Sequence, residues 1–349
     1  MPAPEADVFV RGAGPVGCAA ALALSNTGLR VALLDAPAPA PGFRPIALSH
    51  ASRLILERLG AWQGLPATPI ESIEVSQAGG FGRTRFDAAD AGVPALGYVT
   101  DYGVLTEKIR FLAQELFTSE RIPARCSVHA EGIADAVEKR YAQHALVALV
   151  HAEPPAQSTA FERFTAEGPL ALLPFAGRHA VVWSLPPERA QFLAACPERD
   201  FLDALAAAAG RRAGSPVRVE MRTVQPLVLR VRRARTAARS VYIGNAAQTL
   251  HPVAGQGLNL GLRDAWDLAQ ALRGAADPGA AAVLEAYAAS RRLDAAATIR
   301  VTDLLARGFL GSSRVARAAR GAALTALDLL PAPRRFFARR MIFGPSALP

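Results

Sequence analysis

Lysine is almost missing from this chain: Lys108 and Lys139 stand beside 37 arginines in 349 residues. With so much alanine, that usage reflects the base composition of a genome, so the formal charge of +9 is weak evidence for a polyanionic partner. No nucleic-acid recognition motif accompanies it, which sets nucleic acid aside. Cysteine is scarce as well. Cys18, Cys126 and Cys196 are an odd number with no CxxC pair, which supports neither a disulfide framework nor a zinc site. Cys18 reads as a small helix residue packed on a sheet. No apolar run approaches the ~18 residues of a membrane span. The first residues lack the basic and apolar regions of a secretory signal, so the expected location is the cytoplasm. Repeats, low-complexity linkers, catalytic triads and metal constellations are all lacking.

What is present is a core-forming composition, 51% hydrophobic and 20% charged, at a length that suggests two interleaved lobes. Two glycine clusters organise it. Asp7-Val8-Phe9-Val10 reads as a strand, Gly12-Ala13-Gly14-Pro15-Val16-Gly17 as a turn, and Cys18 to Ser25 as a helix of small residues. A second strand, Arg30 to Leu34, ends at Asp35. In that context Gly12 permits the tight turn, Gly14 lets backbone approach a pyrophosphate, and Gly17 lets helix and strand pack closely. Asp35 lies 23 residues after Gly12, where a ribose-binding carboxylate is expected at a spacing of about 20. The plainer alternative is a glycine turn without a ligand. Arg11 is an unusual end for a central strand; it either turns outward or marks drift in the site.

The second cluster begins at Tyr242-Ile243-Gly244-Asn245-Ala246-Ala247-Gln248 and continues through His251-Pro252 to Gly255-Gln256-Gly257-Leu258-Asn259. A strand from Arg239 to Gly244 precedes it and a helix from Gly257 to Leu272 follows. Glycines at that helix start let N–H groups press on a flat ring, and the helix dipole favours negative charge there. A reduced flavin is such a ring. The plainer alternative is a glycine-rich N-cap, which the first cluster disfavours.

On these residues the chain resembles the class A flavoprotein aromatic hydroxylases, specifically the ubiquinone-biosynthesis ring hydroxylases. Most of that family carry Gly-Asp-Ala-Ala-His at the second motif, with a later Pro and Gly-Gln-Gly. Asn245 for Asp, Gln248 for His, and His251 before Pro252 resemble the branch acting on 2-polyprenyl-6-methoxyphenol. Further likeness lies in Arg44-Pro45-Ile46-Ala47-Leu48-Ser49, Leu96-Gly97-Tyr98-Val99, Phe161-Glu162-Arg163-Phe164 and Gly168 through Pro174.

The resemblance implies an α/β fold: a Rossmann-like FAD-binding domain (1–64, 97–136 and 229–300) interleaved with a smaller mixed β-sheet substrate domain (65–96 and 137–228), then a helical C-terminal region (301–349). It implies FAD as cofactor, NAD(P)H and O₂ as co-substrates, and a polyprenylated phenol as substrate. Gly12, Gly14, Gly17, Asp35, Arg44, Asn245, Gly255, Gln256, Gly257, Leu258 and Asn259 would bind the cofactor. Asn245 would replace the usual aspartate at the ribityl hydroxyls, since an amide both donates and accepts hydrogen bonds. His251 and Pro252 would sit at the reacting centre, His251 either capping its loop or moving a proton. Leu172, Leu173, Pro174 and Phe175 would face the substrate.

One stretch departs from the family pattern. Residues 118–136 are short, and Glu131-Gly132 stands where an Asp-Gly motif belongs. That raises the alternative of a degenerate flavin-binding subunit in a quinone-biosynthesis assembly. Eight arginines against Asp303 and Asp328 after residue 300, interleaved with leucine and phenylalanine, suit contact with the inner-membrane surface or with other quinone-biosynthesis proteins. The same leucines would equally suit packing onto the lobes.

Overall fold

The chain is described here by a computed structural model covering residues 5–35, 42–132, 137–250, 255–308 and 314–344. Strand Ala6–Arg11 lies at the centre of a six-stranded sheet, parallel to Val31–Leu34 on one side and to Ala124–His129 on the other. Val8, Phe9 and Val10 are all buried. Such a continuous apolar run is what a strand covered on both faces requires. Helix Pro15–Ser25 covers one face with Cys18, Ala19, Ala20 and Ala21, each fully buried. Burial pushes the Cys18 thiol up to about 12, as expected of a packing residue. The segment after residue 116 contributes the two-residue edge strand Phe117–Thr118, beside Val31–Leu34.

A second sheet has eight strands, antiparallel except where Thr159–Phe164 runs beside Ser72–Gln77. Its longest members, Val137–Glu153 and Ser215–Val231, are 17 residues each and pair with one another. One face buries Trp183, Leu170 and Leu172 against Phe201 and Leu205 of helix Glu198–Ala209. A three-stranded antiparallel sheet, Pro45–Ser49, Gly97–Asp101 and Thr68–Ile70, makes up the third.

The C-terminal half is helical. Helix Gln256–Leu272 packs on helix Pro15–Ser25 and on Ala281–Gly308, which runs through residue 300 without a break. Helices Arg314–Leu329 and Pro331–Phe343 then fold back over the outer strand Arg83–Asp87. Phe86, Ala88 and Leu96 form one apolar cluster with Ala338 and Ile342. Polar contacts pin the return: Asp328 accepts a hydrogen bond from the Arg85 amide at 3.1 Å, and Arg334 pairs with Asp90 at 2.9 Å. These helices cover a strand that would otherwise be an open sheet edge. No described helix is long and apolar enough to cross a membrane.

Candidate active site

Close approach dictates the first glycine turn. Gly12 has φ +100°, and a Cβ there would lie 2.7 Å from the backbone of Ala130 and Glu131. A Cβ on Gly17 would lie 1.8 Å from the Gly12 carbonyl oxygen, so this residue seats the helix on the strand and stays out of the cavity. Gly14 differs. A Cβ there would meet only the Tyr102 hydroxyl, at 3.7 Å, so its surroundings are open. Gly14 is also the N-cap of helix Pro15–Ser25, with no side-chain cap and no acidic residue in the first turn. Unsatisfied N–H groups at such an end attract a phosphate.

Charged groups close around that turn. Arg110, from helix Tyr102–Leu112, donates to Asp35 at 2.7 Å and to the Ala13 carbonyl at 3.1 Å. Arg44 lies 4.9 Å above the Tyr102 ring. Arg11 neither turns to bulk solvent alone nor stands unpaired: it meets Glu131 at 2.8 Å, and His129 meets the same carboxylate at 3.3 Å. Burial raises the Glu131 carboxyl, but the His129 contact and Arg11 outweigh it and hold the group below its ordinary range.

The second cluster has the same character. Gly255, at φ +59°, is the N-cap of helix Gln256–Leu272, again without a side-chain cap or an acidic first turn. A Cβ on Gly257 would meet nothing within 4 Å among the described residues. Asn259 is buried and its amide is fully used: Oδ1 accepts from the Ser49 amide and the Ser52 hydroxyl, while Nδ2 donates to the carbonyls of Ala47 and Gly255. It therefore locks strand Pro45–Ser49 to the helix start. Asn245 projects from a short 3₁₀ turn and is exposed. His251 and Pro252 lie outside the described residues.

Asp264 holds this loop. It accepts from the Gly244 amide at 3.2 Å, Gln248 Nε2 at 2.9 Å and Arg291 Nε at 2.9 Å, and it pairs with Arg235 at 3.3 Å. Burial drives its carboxyl up, yet Arg235 and Arg291 prevail and keep it below the ordinary range. Neither Asp264 nor Arg110 was expected from the motifs. A signal for the first did exist: Asp264 shares the buried helix face with Leu260 and Leu268, where a carboxylate needs a cation.

Both glycine clusters open onto one cavity of about 1610 Å³. Gly12, Gly14, Asp35 and Arg44 line one end, whereas Asn245 and Gly255 to Asn259 line its middle. Most small-ligand sites occupy about 300–1,000 Å³, so this space admits a dinucleotide and a second molecule. The FAD binding domain family matches residues 125–302, just over half the chain. The chain is 30% identical to ubiquinone hydroxylase UbiL of Rhodospirillum rubrum, covering 96% of this chain and 89% of that one. It is 27% identical to the 3-demethoxyubiquinol 3-hydroxylase of Escherichia coli, over 87% and 90% of the two chains. The chain belongs to the FAD-dependent monooxygenases of the ubiquinone-biosynthesis hydroxylase family. Its fold is also that of p-nitrophenol 4-monooxygenase PnpA from Pseudomonas putida, with a TM-score of 0.77 at 17% identity over 95% of this chain and 96% of that one.

The residues present fit FAD. Two uncapped helix starts and open space at Gly14 and Gly257 face one cavity, and Arg44 and Arg110 bring positive charge to its phosphate end. Beyond the middle, this monooxygenase continues the cavity along the free face of the eight-stranded sheet. Ile73, Val75, Phe164 and Leu173 line that part, and Leu327, Phe337 and Ile342 of the last two helices roof it. The tail leucines and arginines thus divide. Leu324 and Leu327 face inward, whereas Leu329, Leu330 and Phe336 are exposed.

One expectation needs correction. Of Leu172, Leu173, Pro174 and Phe175, only Leu173 lines the cavity. Successive strand residues alternate faces, so Leu172 packs into the opposite core with Trp183 and Phe201, and Ala171 joins Leu173 on the cavity side.

Proposed function

We propose that this protein hydroxylates the ring of a polyprenylated phenol, of the 2-polyprenyl-6-methoxyphenol type, in ubiquinone biosynthesis, with NAD(P)H as reductant. The observation that carries this is the apolar extension of the flavin cavity, walled by a sheet face and roofed by the C-terminal helices. An extended hydrocarbon chain needs such a space, and a small polar aromatic does not. The relatives named for ubiquinone hydroxylation support the same reading.

FAD, bound and reduced, would supply the chemistry that activates O₂, one atom of which enters the ring. The chain supplies the rest. Gly14 and the start of helix Pro15–Ser25 would hold the pyrophosphate, with Arg44 and Arg110 balancing its charge. Asp35 would take a ribose hydroxyl, and Asn245 the ribityl chain. Gly255, Gln256, Gly257 and Leu258 would face the ring, where the helix dipole favours the anionic reduced form. The sheet face and roof exclude water, which protects the reactive oxygen species from wasteful decay.

Two measurements test this. Anaerobic NADPH added to the yellow protein should bleach it, and bleaching should quicken with a farnesylated 2-methoxyphenol present. A strain lacking the protein should accumulate an under-hydroxylated prenyl phenol detectable by mass spectrometry. Persistent colour with NADPH and with NADH, together with an unchanged quinone profile, would refute the reading in favour of a non-catalytic flavin-binding subunit.

A further inference from the structure

Glu162 is the one ionisable side chain in a row of residues that crosses the cavity face of the large sheet. Strand pairing sets the row: Val75 faces Glu162, Glu162 faces Ala171, Ala171 faces Val182, Val182 faces Val147, and Val147 faces Thr223. All six line the cavity. Along its own strand Glu162 shares this face with Ala160 and Phe164. Among the described residues it takes part in no ion pair and no side-chain hydrogen bond.

A carboxyl left without a partner in an apolar wall is costly to the fold unless something else meets it. The neighbouring strands do not. Glu74 points to the opposite face, where it pairs with Arg212 at 2.9 Å and Arg85 at 3.6 Å. The other charged groups on the cavity are Asp35, Arg44, Glu107, Arg110 and Glu131 towards the dinucleotide end, and Arg320 on the roof. None of them perturbs Glu162, whose carboxyl is raised to about 7 by burial alone. A second polar group adjoins the row. Thr84, opposite Val75, lines the cavity and is 2% exposed, and its hydroxyl has no hydrogen-bond partner among the described residues.

We propose that Glu162 is the base for the phenolic hydroxyl of the substrate and Thr84 a donor to its neighbouring alkoxy oxygen. The inference rests on the phenol reading above. The attacked ring carbon takes one oxygen atom of O₂ as the O–O bond breaks, and the second oxygen leaves as water, reduced by the two electrons that NAD(P)H gives through the flavin. As this carbon–oxygen bond forms, the phenolic O–H bond breaks, its proton passes to the Glu162 carboxylate, and the phenolic oxygen becomes a ring carbonyl. When the attacked carbon then loses its hydrogen as a proton to the departing oxygen, the ring regains aromaticity and the carbonyl oxygen takes the proton back from Glu162. The carboxyl ends as it began. A base with this pKa is charged above neutral pH and neutral below it, so the first step should quicken as pH rises through about 7.

The test compares flavin-loaded wild type with E162Q and E162D, using 6-farnesyl-2-methoxyphenol and its methyl ether. Binding is read anaerobically from the absorbance of the oxidised flavin, without turnover. Wild type should prefer the phenol to the ether by about tenfold above pH 7, as befits a hydrogen bond to a charged group. That preference should shrink below pH 7. E162Q should keep its flavin and its affinity for the ether but lose the pH-dependent preference. In single turnovers E162Q should slow by at least about a hundredfold and lose the inflection near 7, while E162D recovers part of both. If E162Q keeps the wild-type preference and pH profile, Glu162 is not the base. If wild type binds neither compound, the phenol reading falls, and this inference with it.

Discussion

Replacing Asp264 with Asn would remove one charge from a buried cluster whose signs now balance. Asp264, Asp267 and Asp294 face Arg235, Arg263 and Arg291, with contacts from 2.5 to 3.3 Å. Side chains of Asp264, Arg291 and Asp294 are at most 1% exposed, so the surplus positive charge left by the variant cannot relax into water. Breaking a buried pair by neutralising one partner costs about 3–5 kcal/mol, or about two to three and a half orders of magnitude in the folding equilibrium at ~1.4 kcal/mol per tenfold. Asp267 offers a control. Its side chain is 35% exposed and, among the described residues, meets only Arg291, so Asp267→Asn should cost roughly 1 kcal/mol or less. The assay is urea unfolding of both variants at neutral pH, with flavin retention after dialysis as a second readout. Asp264→Asn should also release flavin more readily, because the Gly244 amide and Gln248 lose a charged acceptor. The pH dependence has a definite sign. Asp264 and Asp294 titrate below 3.8 in the folded protein, so their contribution is complete above that pH and is lost as pH falls through the folded values. Equal unfolding midpoints for wild type and Asp264→Asn would refute this account of how the flavin loop is held.

Gly14→Val should fold but purify nearly colourless. Its Cβ meets only the Tyr102 hydroxyl at 3.7 Å, while the branched side chain would fill the space assigned to the pyrophosphate. Undiminished flavin absorbance per protein would show the phosphates lie elsewhere. Phe337→Ala should loosen the cavity roof, since Phe337 is half-buried and packs on Phe86 at a ring distance of 5.7 Å. A cost of about 2 kcal/mol is expected, below the ~3–5 kcal/mol of a fully buried phenylalanine because Phe337 is only half-buried. Affinity for a farnesylated phenol should fall while flavin content stays constant. Unchanged affinity would show that the prenyl chain does not run under the roof.

How far the sequence could be read depended on the distance over which each requirement acts. The packing role of Gly17 was legible because its reason lies within the strand–turn–helix unit: the 1.8 Å approach is made by a carbonyl five residues away, whereas Gly12 is also required by the backbone of Ala130 and Glu131, which no local pattern shows. Asp35 was legible by spacing, but its partner Arg110 was not, since the pairing spans 75 residues and depends on where helix Tyr102–Leu112 lands. The shortened stretch 118–136 raised the alternative of a degenerate flavin-binding subunit. In the structure the six-stranded sheet ends at the two-residue strand Phe117–Thr118 beside Val31–Leu34, and Glu131 answers Arg11. The tail left two readings open because apolar and basic residues at helical spacing serve either a membrane face or a packed roof. Only the docking of Arg314–Leu329 on strand Arg83–Asp87 separates the inward leucines from the exposed ones.

Glu162 shows the limit most clearly. A glutamate between Phe161 and Arg163 looks unremarkable in one dimension, and period-two alternation tells only that it shares a face with Ala160 and Phe164. Its isolation emerges from five successive strand pairings that bring valine, alanine and threonine alongside it and no counter-charge. The same register that excludes Leu172 from the cavity places Glu162 within it. A chain under pressure only for stability would fill that position with an apolar residue, because an unpartnered carboxyl destabilises the wall around it. Its presence in a cavity face of valine, alanine and threonine is therefore an argument for chemistry, and the paired measurements on phenol and ether address that argument without relying on turnover.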